Sequence, residues 1–132
     1  MILTNGDKIK PSKNYELLNK LLGKSYKGFQ KTRCKFENDC FIWIISFAKA
    51  KGGWKNEIID KNTIIETEYY KHLKQTKGSH RLVFSKENGY FMFLGLFKTD
   101  KPKSTDLTTN LIKILDKFDF EKSVDFNLKH YK

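Results

Sequence analysis

The chain has 132 residues and a mass of 15.6 kDa, which suits one domain and is too short for two independent hydrophobic cores. Hydrophobic residues make up 39% and aromatic residues 14% of the sequence, a content that excludes a chain that stays disordered. Because 26 Lys and Arg stand against 15 Asp and Glu, the formal net charge is +11, which favours a polyanionic partner, with nucleic acid first.

The first predicted elements are a small pair of strands and a short amphipathic helix. Apolar residues on both sides of the turn at 5–7 indicate the strands. The stretch 11–14 predicts a helix start, with Ser12 or Asn14 as the capping residue, and Gly23 predicts its end. Tyr15 and the leucines between these points recur at helical spacing, so one face of the helix should pack on a sheet.

From Ser25 onward the sequence favours strands. Residues 26–36 read as a mixed polar strand, and residues 40–48 are apolar on both faces, which is typical of a central strand covered on both sides. Two further strands, at 58–59 and 63–70, are divided by the polar turn at 60–62.

The clearest hairpin joins residues 80–85 to residues 90–97, because Asn88-Gly89 tolerates the positive φ that tight turns require. Gly95 indicates a bulge or a close backbone approach. Ser104 or Thr105 predicts the start of a helix that reaches Phe118, and the tail at 119–131 predicts a weak edge strand.

Together these elements predict an α+β fold in a single domain, residues 1–132. We expect a small, strongly curved, mostly antiparallel sheet or barrel of about six strands, flanked by an N-terminal and a C-terminal helix.

The sequence contains no signature of a disulfide framework, a metal site or a membrane segment. Cys34 and Cys40 are the only cysteines, and their spacing with His72 and His80 matches no zinc motif, so we expect free thiols, no metal and no cofactor. No apolar run approaches the ~18 residues needed to cross a bilayer, and the first residues lack a secretion signal. A soluble, cytoplasmic protein without a membrane partner is expected.

The basic residues fall into clusters within predicted loops, at 31–35, 49–55, 71–81 and 98–103. If several of these loops share one rim of the sheet, they would bind phosphates without reading bases. A merely solvated basic surface is the alternative interpretation. Since 24 of the 26 basic residues are Lys, only Arg33 and Arg81 could make planar, two-pronged contacts to a guanine edge or a phosphate.

Gly52-Gly53-Trp54-Lys55-Asn56 is a second candidate feature, because two glycines allow a sharp turn that presents the indole at a loop tip. A base could stack on Trp54, or the indole could fill the gap left by a flipped base. The alternative is a Trp folded back over the edge of the core. Asn56 could pair with a base edge, or could only close the turn.

Tyr69 and Tyr70 end one predicted strand, and His80 and Arg81 begin the next after a Lys-rich loop. Neighbouring residues of a strand face opposite sides, so one Tyr could form an aromatic slot with Trp54, and His80 or Arg81 could contact its polar rim. Simple packing of the two tyrosines is the alternative. The complete set of predicted nucleic-acid contacts is Arg33, Lys51, Trp54, Lys55, Asn56, Tyr69, Tyr70, Lys77, His80 and Arg81.

These features resemble small readers of modified nucleic acid with the PUA-like fold, the group that includes EVE, YTH and SRA-type domains. The resemblance covers roughly residues 6–100 and lies in the basic charge, the helix before a curved sheet, the apolar strand with Trp43, the Gly-Gly-Trp loop and the 80–97 hairpin. It implies a β-barrel that takes a flipped or single-stranded modified base into an aromatic pocket, often fused to or beside a restriction nuclease or a motor subunit. No family binding residue matches position for position.

The leading hypothesis is a nucleic-acid-binding module, with DNA favoured over RNA, that reads a modified, flipped or unpaired base. A protein-interaction module or inhibitor of the phage or defence type, using its basic face on a nucleic-acid channel or an acidic partner, is the alternative. A small metal-dependent nuclease using Asp60, Glu66 and Glu68 is a third hypothesis, although the spacing of acids and lysines departs from the usual pattern. Other enzyme motifs are absent from the sequence.

Overall fold

The computed structural model describes residues 1–10, 13–28, 33–46, 54–68, 79–100 and 108–132. In chain order the elements are β1 (Ile2–Thr4), β2 (Lys8–Ile9), α1 (Asn14–Leu22), β3 (Arg33–Glu37), β4 (Cys40–Ile45), β5 (Trp54–Asp60), β6 (Thr63–Glu68), β7 (His80–Lys86), β8 (Phe91–Thr99), β9 (Thr108–Leu115), β10 (Lys117–Asp119) and α2 (Val124–His130). Within these ranges no helix is long and apolar enough to span a membrane.

Helix α1 forms where the leucines recur, as the sequence predicts. Its buried residues are Leu17, Leu18 and Leu21. Gly23 ends the helix at φ 65, and its N–H donates to the carbonyl of Asn19 at 3.0 Å. The prediction that Asn14 caps the helix is wrong, because Asn14 is already the first helical residue. The N-cap is Lys13, whose side chain makes no capping hydrogen bond.

Seven strands form an open sheet in the order β3-β4-β7-β8-β9-β6-β5, and β2 adds to it by pairing with β8. Among the described strands only β4 and β7 pair in parallel. Strands β1 and β10 form a separate antiparallel pair. In the described chain β3 and β5 are the two edges, so the expected mostly antiparallel sheet is present, while closure into a barrel and the count of about six strands are not confirmed.

The sheet is strongly curled. Arg81 on β7 and Glu66 on β6 approach to 3.1 Å between Nη1 and Oε1, although β8 and β9 lie between their strands. Neighbouring strands are about 4.8 Å apart, so a flat sheet would separate β7 from β6 by about 14 Å. The contact therefore requires a concave face, in agreement with the curvature expected from the sequence.

The two faces of the sheet bury separate clusters. On the helix-covered face, residues such as Ile42, Leu82 and Phe93 pack with the leucines of α1. The concave face carries a smaller cluster, whose members are Trp43, Ile45, Ile64, Val83, Leu94, Phe97 and Leu111. Because β4 and β7 contribute buried residues to both faces, β4 reads as an apolar run without alternation, as the sequence indicates.

A bulge in β8 bends the sheet where Gly95 interrupts the apolar run. The β7–β8 register shifts between Val83 and Phe84, and Gly95 has a φ of 130. A Cβ at Gly95 would lie 2.6 Å from the carbonyl oxygen of Leu115, so the close backbone approach expected here is confirmed.

The C-terminal elements correct the sequence prediction. The expected helix reaching Phe118 is instead β9 and β10, and the expected edge strand in the tail contains α2. Apolar residues at 111, 114, 115 and 118 fit both helical spacing and a strand covered on two sides, whereas the β-branched content around them favours the strand. Ser123 caps α2 by accepting the N–H of Phe126 at 3.1 Å.

Candidate nucleic-acid interface

Several strand termini meet at one end of the sheet, which we call the site end. Trp54, the first residue of β5, is in register with Glu68, the last residue of β6, and Thr67 is in register with Thr108 at the start of β9. His80 at the start of β7 is in register with Lys98 near the end of β8. Three of the four Lys-rich segments, at 49–55, 71–81 and 98–103, are flanked by these strand ends. Because the ends lie at the same end of the sheet, a shared basic rim is favoured.

Below this rim the concave face holds a buried ion pair. The side chains of Arg81 and Glu66 are 1% and 4% exposed. The Arg81 guanidinium carbon also lies 4.5 Å from the ring centroid of Trp43, which is a cation–π distance. Arg81 was expected to contact nucleic acid at the pocket rim; the structure buries its guanidinium against Glu66 and Trp43, and a contact with nucleic acid stays a prediction.

Asn56 lies beside the ion pair. It is in register with Glu66 and is half-buried. Its Oδ1 is fully buried and has no hydrogen-bond partner within the described ranges. Leaving a buried acceptor unsatisfied costs about 1 to 3 kcal/mol, so this position suits a bound molecule that donates a hydrogen bond.

Lys55 does not share this position with Asn56. Its Nζ lies 3.4 Å from Oε1 of Glu57, and both side chains are nearly half exposed. Because successive residues of a strand point to opposite faces, Lys55 and Asn56 cannot contact the same base. A joint role of the two residues at one base is therefore excluded, and a contact of Lys55 with a phosphate stays a prediction.

His80 lies on the helix-covered face, opposite to Arg81. Its Nδ1 is 2.9 Å from Oγ of Ser79, whose hydroxyl donates to Asp39. Burial lowers the pKa of His80, the charge of Asp39 raises it, and that of Lys98 lowers it. The carboxylates of Asp125 and Glu37 also raise this pKa, and the net effect is a lowered pKa. The imidazole thus belongs to a polar network at the site end.

Asp39 anchors this network to the β3–β4 turn. It adopts a left-handed φ of 63, its Oδ1 accepts the N–H of Ser79 at 2.8 Å, and its carbonyl accepts the N–H of His80 at 3.0 Å. Asp39 therefore connects the turn to the first residues of β7, next to the β4–β7 pairing of Cys40 with His80.

Replacing Asp39 with Asn is expected to lower the free energy of unfolding by about 1 kcal/mol, because a charge-assisted acceptor becomes a neutral one while the left-handed turn is retained. Urea denaturation measures this loss. The matched variant is Asn38→Asp in the same turn, which should leave stability unchanged. An Asp39→Asn protein as stable as the wild type would show that the network contributes nothing.

The other predicted contacts lie wholly or partly outside the described residues. Lys51, Tyr69, Tyr70 and Lys77 are outside the described ranges, and only the backbone of Arg33 and Trp54 is described, in β3 and at the start of β5. The aromatic slot formed by Trp54 with Tyr69 or Tyr70 therefore stays a prediction.

Sequence reasoning missed two residues that contact Arg81, namely Trp43 and Glu66. Trp43 was assigned only to the central strand, and Glu66 only to an exposed edge or a nuclease site, whereas the structure brings both to Arg81. One signal could have found the pair. An arginine within the apolar run of β7 requires a buried acid, and few acids lie in predicted strands.

The described residues do not favour a nuclease centre. Glu66 is engaged with Arg81, while Asp60 lies at the opposite end of the β5–β6 hairpin. Within the ranges that the structure covers, no group of three His, Cys, Asp or Glu side chains could hold a metal ion. Cys34 and Cys40 are free thiols, as expected, and burial raises the pKa of Cys40 to about 12.

A curved, mostly antiparallel sheet with helices on one face and a polar cluster on the other is consistent with a PUA-like α+β protein. The family model of the SRA domain, the SET and RING associated domain, matches residues 1–120. The chain therefore belongs to the SRA family, whose members are DNA-binding readers of modified bases, and the resemblance inferred from the sequence is confirmed.

A solved structure shares the fold. The 5-hydroxymethylcytosine-specific restriction enzyme AbaSI superposes with a TM-score of 0.70 at 18% sequence identity, over 89% of this chain. The chain spans 42% of the length of that enzyme. No curated protein sequence matches the chain.

Proposed function

We propose that this chain reads a modified base in DNA at the concave face, while the Lys-rich segments at the site end contact phosphates. The observation that carries the proposal is the buried Oδ1 of Asn56, which has no hydrogen-bond partner in the described residues and lies beside the Arg81–Glu66 pair. A flipped base is a ligand that could reach such a buried acceptor.

The proposed base is a modified cytosine. The hydroxyl of a 5-hydroxymethyl group is a hydrogen-bond donor that plain cytosine lacks, which suits the acceptor of Asn56. AbaSI is specific for 5-hydroxymethylcytosine, which makes cytosine modified at C5 the first class to test. The Arg81–Glu66 pair would hold β6, and with it Asn56 on β5, at a constant distance from β7.

Stacking supplies the rest of the binding energy in this proposal. Trp54 is two residues from Asn56, so strand alternation favours the same face for both residues. Tyr69 or Tyr70 is the candidate for the opposite side of the base. Extruding a base costs a few kcal/mol, which stacking and hydrogen bonds at the base edge together can offset.

We also propose that the chain acts beside a nuclease. A base-reading module needs a separate cleavage module to take part in restriction, and the chain corresponds to only 42% of AbaSI, a restriction enzyme. The nuclease is either a further part of a longer protein or a separate subunit.

The test is a binding panel of otherwise identical duplexes that contain one cytosine, 5-methylcytosine or 5-hydroxymethylcytosine. Fluorescence anisotropy at constant salt measures each Kd. We expect at least one modified duplex to bind about tenfold more tightly than the plain one, since one good base-edge contact is worth about 1 to 3 kcal/mol.

The matched variants are Asn56→Leu and Asn38→Leu, the latter in the exposed β3–β4 turn. Asn56→Leu should abolish the preference, and Asn38→Leu should keep it. If the wild type bound all three duplexes with equal affinity, recognition of the cytosine modification would be rejected. That result would favour the alternative, in which the basic face binds a partner without discriminating bases.

A further inference from the structure

The longest stretch of the chain without an acidic residue lies outside the candidate base site. Between Glu16 and Glu37 the sequence contains no Asp or Glu. The cations of this stretch are Lys20, Lys24, Lys27, Lys31, Arg33 and Lys35. The end of α1, the segment that follows it, and β3 therefore carry six cations and no acid up to Phe36.

Four of these lysines form what we call the α1–β3 surface: Lys20, Lys24, Lys27 and Lys35. All four are exposed. Within the described residues none of the four forms an ion pair, in contrast to Lys55 with Glu57 and Lys113 with Asp116. Their charges are therefore available to an external anion.

The segment after α1 is held in place by Asn19. The side-chain amide of Asn19 donates to the carbonyl of Tyr26 at 2.9 Å, and its Oδ1 accepts the N–H of Tyr26 at 2.7 Å. Tyr26 packs against the main core, so these two hydrogen bonds fix the position of the backbone that carries Lys24 and Lys27. An ordered cationic surface loses less entropy on binding than a mobile one.

The surface continues around the edge of the sheet. Burial raises the pKa of Cys34 on β3, and the nearby charge of Lys24 lowers it, which places Lys24 beside that strand. In the β3–β4 register Arg33 is paired with Trp43 and Lys35 with Phe41, so Lys35 belongs to the face that carries Trp43. The cations thus extend from the helix-covered side towards the concave face.

We propose that the α1–β3 surface binds the phosphate backbone of the DNA outside the base-reading site. This inference rests on the proposed function for the identity of the partner. A DNA duplex carries closely spaced phosphates along its whole length, so it can engage several lysines at once while one base is read elsewhere. Exposed lysines within a stretch that contains no acid fit this sequence-independent role.

The test compares Lys24→Gln/Lys27→Gln with the control Lys61→Gln/Lys129→Gln, which removes two exposed lysines elsewhere and lowers the net charge equally. Kd for a plain and a modified duplex is measured by fluorescence anisotropy over a salt series. We expect the slope of log Kd against log salt to fall by about two in the first variant, because each lost phosphate contact contributes about 0.9.

The control should keep the wild-type slope, and both variants should keep the wild-type ratio of Kd between the plain and the modified duplex. An equal change of slope in both variants, or in neither, would overturn the proposal. A changed ratio in Lys24→Gln/Lys27→Gln would also overturn it, because the surface would then belong to the base site. If the wild type bound the plain and the modified duplex with the same Kd, only the proposed base reading would be rejected. The salt slopes would still decide whether the α1–β3 surface binds phosphates.

Discussion

Replacing Arg81 with Met should lower the free energy of unfolding by about 3 to 5 kcal/mol, a large part of the stability of a small domain. The substitution removes the partner of Glu66, whose side chain is only 4% exposed, and leaves a carboxylate inside the concave face. It also removes the guanidinium that contacts Trp43. Urea denaturation followed by circular dichroism measures the change.

The double variant Arg81→Met/Glu66→Gln separates charge from packing. Because it removes the uncompensated carboxylate, it should recover a substantial part of the stability that Arg81→Met alone loses. If Arg81→Met unfolds completely, the folded state of the double variant still tests the pair. A loss below about 1 kcal/mol in Arg81→Met would contradict the buried ion pair, since that is the value of an exposed one.

The ion pair also explains why a charged residue occupies a central strand. Hydrophobic residues would stabilise the core as well or better, so a buried pair is retained where position matters. Here it joins two strands that are not neighbours in the sheet and lies beside Asn56. The pair therefore sets the width of the concave face at the level where we propose that the base binds.

Local signals predicted the elements that depend on few residues. The 80–97 hairpin follows from Asn88-Gly89, where Gly89 has a φ of 87, and the end of α1 follows from Gly23. The two-sided burial of β4 is likewise visible in its run of apolar residues. Each of these depends on backbone conformation or burial over a few consecutive positions.

Features that depend on contacts between distant parts of the chain could not be predicted from the sequence. The stretch at 108–119 has a spacing that suits a helix, and only pairing with β6, β8 and β1 makes it β9 and β10. Arg81 looked like a surface cation in a chain of net charge +11, because its acid is 15 residues away and three strands across the sheet. The candidate site is therefore visible from the sequence as a region, and its buried partners are not.

Replacing Trp54 with Ala should weaken binding of the modified duplex by about 1 to 3 kcal/mol, or roughly 5- to 150-fold in Kd, if a base stacks on the indole. Trp54 begins β5 at the site end, two residues before Asn56. Trp54→Phe keeps an aromatic face and should retain most of the affinity. Fluorescence anisotropy gives Kd, and urea denaturation of the same variants gives the stability.

The two measurements distinguish stacking from packing. A Trp54→Ala protein that loses stability while its Kd stays at the wild-type value would assign the indole to the edge of the core and remove it from the site. Stacking tolerates every base, so Trp54→Phe should preserve the ratio of Kd between plain and modified duplexes, whereas Asn56→Leu should bring that ratio to one. We propose that Trp54 supplies affinity and Asn56 supplies base discrimination. If Trp54→Phe and Asn56→Leu changed the Kd ratio equally, this division of roles would be wrong.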